Sequence, residues 1–355
     1  MSISSLSLAN VNRTSILRIQ NELPDATKEA TTGRLADVGL SLGRLTGSAV
    51  SYRAQESSFK SNIESNKLVS TRLQLADDTL TALAKSATEF SSQLINGTAT
   101  ASGIPALVTS AKSSLAQLTG ASGLNLQVDG QYVFAGTQSD VQPVQNGSAV
   151  LKADFEAYLG TLTAADGSAV TAANVTKAQV EAYFASPGND ADGKPLPSRF
   201  DSHFTDAAWD ANWSDASGEA TARISSSETV KTSVSANAAA FRKLAASYAI
   251  VSSLGVETMG EGARQAMVTQ AQKQLSAGQS AVTEIKADFG VRQNRITAAS
   301  TALKQQQDIV AAAYDRLEGV DETEAALLMN SLKTQLDTSY AVTGRIQSLS
   351  ILNYL

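Results

Sequence analysis

The 355-residue chain contains no cysteine and a single histidine, His203. The first absence removes disulfides, thiolate catalysis and every cysteine-based zinc or iron–sulfur site. The second removes multi-histidine metal centres. Aromatic residues make up only 5% of a chain that is 43% apolar, so its core vocabulary is Ala, Leu, Val and Ile, which favours helices. A net charge of −6 argues against nucleic acid or an anionic membrane as partner. No run approaches the roughly 18 apolar residues of a spanning helix, so no membrane insertion is expected. The opening MSISSLSLANVNRTSILRIQ lacks the basic, then apolar, then small-residue layout of a cleavable secretory signal.

Proline is scarce and unevenly placed. Pro24, Pro105, Pro143, Pro187, Pro195 and Pro197 leave residues 25–104 and 198–355 free of it. Proline costs about 3 kcal/mol inside a helix, so those stretches are where long helices can run and Pro24 should interrupt the first one. From Val69 the apolar positions Leu73, Ala76, Leu80, Leu83, Ala87, Phe90 and Leu94 alternate steps of four and three, the seam of a helix packed in coiled-coil fashion. Phe59, Ile63 and Asn66 extend the stripe with one step out of phase. Met267, Leu275, Val282, Ile285, Phe289 and Ile296 repeat it near the other end. After Gly319, Asp321 is an N-cap with Glu324 placed to complete a capping box, and Ala325, Leu328, Leu332, Leu336, Val342, Ile346 and Leu349 share one face.

One segment breaks the helical rule. In GLNLQVDGQYVFAG, residues 123–136, the pattern alternates with period two about Asp129-Gly130, which predicts a type I′ hairpin. Leu124, Leu126 and Val128 then share a face with Val133 and Ala135, and Tyr132 and Phe134 take the other. Residues 145–230 have a different character. Phe155, Tyr158, Tyr183, Phe184, Phe200, Phe204, Trp209 and Trp213 crowd this segment, which argues for a small ordered α+β domain rather than a linker. Its composition offers residues 150–228 as a removable unit.

No candidate for chemistry survives its own requirements. Gly188 to Lys194 matches G-x-x-x-x-G-K, but Pro195 stands where a phosphate loop needs Ser or Thr and no helix can start normally behind it. Read as a calcium loop, the same run puts Gly188 and Arg199 where carboxylates are required. His203 lies beside Asp201 and Ser202 with no nucleophile elbow, so a surface histidine is expected. Asp77 and Asp78, adjacent on a helix, point about 100° apart. Catalytic, cofactor-binding and metal-binding residues are all expected to be absent.

The two ends carry a resemblance. Met1-Ser-Ile-Ser, Asn10, Asn12, Leu17 and then Thr32-Gly33-Arg34-Leu35-Ala36-Asp37 resemble the N-terminal flagellin homology region. Gly130-Gln-Tyr132-Val-Phe134-Ala135-Gly136-Thr137 is similar to the G-x-Y-x-F-x-G-T signature of the hook-associated protein 3 family, the hook–filament junction proteins. The tail Ser348-Leu349-Ser350-Ile351-Leu352-Asn353-Tyr354-Leu355 is similar to that family's aliphatic ending. The resemblance spans roughly residues 1–145 and 231–355. One departure is the segment Asp37-Val38-Gly39-Leu40, where the family commonly has Asp-Asp-Pro or Asp-Asp-Ala.

What the resemblance implies is a mainly α fold. Long antiparallel N- and C-terminal helices form a coiled coil and helical bundle with a β-hairpin, and a small inserted domain interrupts them. The expected division is 1–45 with 300–355 as terminal assembly core, 46–145 with 231–299 as bundle with hairpin, and 146–230 as outward-facing insert. The implied function is a non-enzymatic flagellar adaptor, exported without a cleavable signal and placed extracellularly at the hook–filament junction. Its implied partners are further copies of itself, another hook-associated protein on the hook side, flagellin on the filament side and an export chaperone. Ile3, Leu6, Ile16, Leu17, Leu336, Val342, Ile346, Leu349 and Leu352 are the expected assembly seam. A flagellin filament subunit shares the same ends; a secreted coiled-coil translocator or tip protein is the alternative of another class.

Overall fold

A computed structural model describes residues 5–96, 103–165, 167–190 and 195–352. Its contacts divide the chain into two compact units, one of residues 1–63 with 301–355 and one of residues 64–300.

The first unit contains α1 (Ser5–Thr32), the short α2 (Val38–Leu42) with a 3-10 turn (Gly43–Leu45), the start of α3 (Thr46–Asn96), the end of α9 (Glu261–Glu318) and α10 (Glu322–Leu352). The terminal helices α1 and α10 pack on one another. Sequence reasoning has α1 interrupted at Pro24, whereas the helix runs straight through it. The physical reason is exposure: Pro24 faces solvent, so the carbonyl four residues back that loses its helical donor can turn to water. Ile19, Leu23 and Ala26 meanwhile keep an unbroken apolar face. Asp321 caps α10 as expected, its Oδ1 accepting from the backbone N–H groups of Thr323 (2.8 Å) and Glu324 (3.2 Å). Those two bonds hold the Asp321 carboxyl below its ordinary pKa.

The second unit has the remainder of α3 and α9, with α4 (Ile104–Leu118), strands β1 (Gln127–Val128) and β2 (Gln131–Tyr132), α5 (Ser148–Gly160), α6 (Lys177–Tyr183), a 3-10 turn (Asp201–Phe204), α7 (Asp206–Asn212), β3 (Thr221–Arg223), β4 (Thr229–Lys231) and α8 (Ala239–Ser253). Every member of the stripe from Leu73 to Leu94 is buried, as are Met267, Leu275, Val282, Phe289 and Ile296. The out-of-phase Asn66 is buried too. It donates to the carbonyl of Ile224 at 2.9 Å and so fastens the central segment to α3. Between the stripes lies α8, whose residues from Leu244 to Val251 are all buried. A helix apolar on every side belongs at a centre, and it leaves no stripe to read.

β1 and β2 pair antiparallel with Gln127 opposite Tyr132 and Val128 opposite Gln131. Asp129 (φ 52°) and Gly130 (φ 78°) sit in the left-handed region, the type I′ signature expected from the sequence. Beyond the turn both faces are covered. Val133, Phe134 and Ala135 are all buried, and Phe134 meets Phe241 of α8 edge-on at 5.9 Å.

The central segment is ordered and inserted, with short helices and one strand pair. Its aromatics form a continuous chain of contacts from Phe155 and Tyr158 through Tyr183, Phe184, Phe200 and Phe204 to Trp209 and Trp213, the two indoles stacked at 5.2 Å. These side chains belong to the same hydrophobic core as Phe90, Phe134 and Phe241. Residues 146–230 thus share the packing of the helices around them rather than enclosing a core of their own.

Candidate assembly surface

The structure disperses the chemistry-bearing residues. His203 Nε2 lies 3.2 Å from Asp154 Oδ2, on a different helix from the adjacent Asp201 and Ser202. Asp201 instead accepts from Ser198, and Ser202 donates to the carbonyl of Arg199. Asp154 also accepts from Arg199 Nη2 (2.8 Å) and Tyr183 Oη (2.9 Å). Burial raises the Asp154 pKa, but the bonds from Arg199, His203 and Tyr183 outweigh it and hold the carboxyl below its usual value. This is a fastener between α5 and the loop before α7, with no nucleophile in it.

The Leu196 amide donates to the Gly188 carbonyl at 2.8 Å. Asn189 bridges Pro195, and no helix follows; residues 191–194 of the G-x-x-x-x-G-K match lie outside the described residues. Asp77 approaches Lys286 (3.9 Å) while Asp78 accepts from Gln74 (3.0 Å), so the neighbouring carboxylates diverge. A cavity of about 680 Å³ between α4, α5 and the end of α8 brings Lys112, Lys152, Glu156 and Glu257 around an apolar floor. Among the described residues no metal-binding group of carboxylates and histidine occurs, and no helix is long and apolar enough to cross a membrane.

The feature left over is an apolar surface without a partner on the α1–α10 pair. Ile19, Ala26 and Leu332 form a small buried cluster, flanked by Leu23, Met329 and Leu336. Asn12 reaches across to the Thr343 hydroxyl (2.7 Å) and Gln20 to that of Tyr340 (2.7 Å), fixing an antiparallel register. Other apolar side chains of the pair are exposed: Leu17 is 52% exposed, Leu328 50% and Val342 41%. Val11, Leu327 and Tyr340 are exposed beside them.

The expected seam residues therefore divide. Leu336 and Ile16 are half-buried, Leu336 against the α1–α10 cluster, whereas Leu17 and Val342 face outward. Ile3 lies outside the described residues; Leu6, Ile346, Leu349 and Leu352 fall within helices, but their side chains lie outside what is described. Sequence reasoning missed Val11, Leu327 and Tyr340. Leu327 sits next to Leu328, and only one of two adjacent leucines can follow a heptad seam, so the second was readable as a widening of the face.

The end of the Gly130–Thr137 motif makes close backbone contacts. Gly136 takes φ 71° and approaches Ser217 so closely that a Cβ there would lie 2.2 Å from the Ser217 carbonyl oxygen. The Thr137 amide and hydroxyl both bond that same oxygen, at 2.8 and 2.9 Å. Glycine and threonine at these positions let the hairpin clamp the returning end of the central segment.

Two family models match this chain: the bacterial flagellin N-terminal helical region over residues 3–139 and the bacterial flagellin C-terminal helical region over residues 266–355. The chain is a flagellin-like protein. The two matched regions mark it as a structural protein of the bacterial flagellum and include both helices of the α1–α10 pair. A solved structure of a candidate flagellar hook-associated protein from Vibrio parahaemolyticus is 12% identical, covering 77% of this chain and 97% of its own, with a TM-score of 0.49. At that similarity it adds nothing to the flagellin assignment. No curated protein matches the chain.

Proposed function

We propose that this flagellin-like chain is the hook–filament junction adaptor, a non-enzymatic protein that polymerises through its terminal helices. The observation that carries this reading is the α1–α10 pair, whose described residues gather Ile19, Ala26 and Leu332 into a small cluster yet leave Leu17, Leu328 and Val342 exposed. A neighbouring copy supplies the missing face. The junction assignment rests on the similarity of Gly130–Thr137 to the junction-protein signature. The proposed seam is Ile3, Leu6, Ile16, Leu17, Leu336, Val342, Ile346, Leu349 and Leu352. Another hook-associated protein would lie on the hook side and flagellin on the filament side, with an export chaperone holding the chain before export.

Copy number in sheared flagella tests the assignment. A junction adaptor is a trace component beside abundant flagellin; equal abundance would make the chain the filament subunit itself, which both family matches favour as the second reading. The non-enzymatic reading predicts no ATP binding, since Pro195 replaces the magnesium-binding hydroxyl. Nucleotide-dependent thermal stabilisation that disappears in Lys194→Ala would overturn it.

A further inference from the structure

Two linkers join the α1–α10 pair to the rest of the first unit, residues 33–45 after α1 and residues 319–321 before α10. Neither is left to itself. The Leu35 amide donates to the Glu318 carbonyl (2.9 Å), the Val320 amide donates to the Gly33 carbonyl (3.0 Å), and Arg34 and Gly319 form an antiparallel bridge. Gly33, at φ 66°, makes the turn that lets the first linker reach the second. Lys28 and Glu29 then fasten that linker back to α1 through the Ala36 carbonyl (2.7 Å) and amide (3.0 Å).

Side chains from α3 and α9 close over this bridge. The Tyr314 hydroxyl accepts from Arg34 Nη1 (2.9 Å) and Arg53 Nε (2.6 Å), and the two guanidinium carbons lie 4.6 and 5.0 Å from the centre of its ring. Arg53 Nη2 also pairs with Glu318 Oε2, and Arg34 Nη2 with Asp315 (3.1 Å). The Glu318 side chain is 1% exposed, and its Oε1 has no hydrogen-bond partner. A buried carboxylate held this one-sidedly depends on its cation, so the cluster has one good arrangement and poor neighbours. The small cluster of the α1–α10 pair, Ile19, Ala26 and Leu332 with Leu23, Met329 and Leu336, ties α1 to α10, so the linkers carry the connection to α3 and α9.

We propose that Arg34, Arg53, Tyr314 and Glu318 are positioning residues for assembly: they clasp the two linkers together and so set the direction in which the α1–α10 pair leaves the α3 and α9 ends. This rests on the reading that the pair is the assembly element. A regular polymer needs every copy to present that face at one angle, and the clasp is where the bridged linkers meet side chains of α3 and α9.

The absence of cysteine permits a clean test. Spin labels on Ser57→Cys of α3 and Lys333→Cys of α10, both exposed sites of the first unit, report the angle as a distance distribution in the full-length monomer. Immunogold counting of copies added to purified hook fragments reports assembly. Glu318→Gln and Tyr314→Phe should each at least double the width of the distribution and slow incorporation about tenfold, with helix content by circular dichroism unchanged. Arg53→Lys, which keeps a cation beside Glu318, should retain more incorporation than Arg53→Met. Wild-type incorporation by Tyr314→Phe or Glu318→Gln, or a broadened distribution without slower incorporation, overturns the proposal. Should Glu318→Gln lose helix, Tyr314→Phe decides alone, because it leaves the Arg53–Glu318 pair intact. The double variant Leu17→Asp/Val342→Asp separates the two layers: if it assembles normally the assembly reading itself fails, and if it alone blocks assembly only the clasp proposal fails.

Discussion

The terminal helix pair and the body of residues 64–300 are written in the same amphipathic vocabulary, yet they finish differently. In the body the stripes of α3 and α9, the apolar α8 and the aromatic chain from Phe155 to Trp213 close into one continuous core. Among the described residues of the α1–α10 pair, Ile19, Ala26 and Leu332 form a small separate cluster, while Leu17, Leu328 and Val342 stay exposed. Ordering costs about 1–2 kcal/mol per residue, and two helices alone recover little of it. An amphipathic stripe thus records that a face is to be covered; whether the same chain or another copy covers it is decided by what else packs there.

The sharpest way to break this contrast is to cut into the body. Composition offered residues 150–228 as removable, but Phe155, Tyr183, Phe200, Trp209 and Trp213 share the core with Phe90, Phe134 and Phe241. Deletion of 150–228 is therefore expected to unfold the body, seen as loss of its cooperative melting transition. A stable, motile deletion would show the segment to be independent after all. Trp213→Ala is the milder form, expected to cost about 3–5 kcal/mol by denaturant unfolding. In the arm, by contrast, Val342→Asp is expected to leave monomer unfolding within about 0.5 kcal/mol of the parent while abolishing assembly.

Acid should separate the two regions more gently. The Asp154 carboxyl is held below its ordinary pKa in the folded state, so its contribution is fully present above the unfolded value near 3.8 and is lost as pH falls through the folded value. Melting of the body followed from pH 6 to pH 2 is expected to fall over the acid end of that range. Asp154→Asn is expected to flatten part of this fall and to cost about 2 kcal/mol at neutral pH, because Arg199 and His203 lose their acceptor charge.

Much of this was legible from local pattern. The three-and-four alternation after Val69 could be nothing but a helical seam, and Asp129-Gly130 names its turn because that turn needs two positive φ values in succession. Pro24 misled because a proline's cost depends on whether the carbonyl it frees is buried, which local sequence does not state. The aromatic crowding announced order between 155 and 213 but not its sharing with α8, since contacts such as that of Arg242 with the Trp209 ring join separate elements that local pattern does not pair. The clasp was invisible for the same reason. Arg34, Arg53, Tyr314 and Glu318 read singly as a charged or polar surface, and only the fold brings them to one ring.

The decisive measurement is hydrogen exchange on a verified monomer, repeated after assembly. Slow exchange is expected in the helices between residues 64 and 300 in both states, with weaker protection of the formed helices α1 and α10 in the monomer that rises when neighbouring copies cover Leu17, Leu328 and Val342. Equal protection of α1, α10 and the body in the monomer would show that the chain completes its own bundle, and would contradict assembly through an unfinished face.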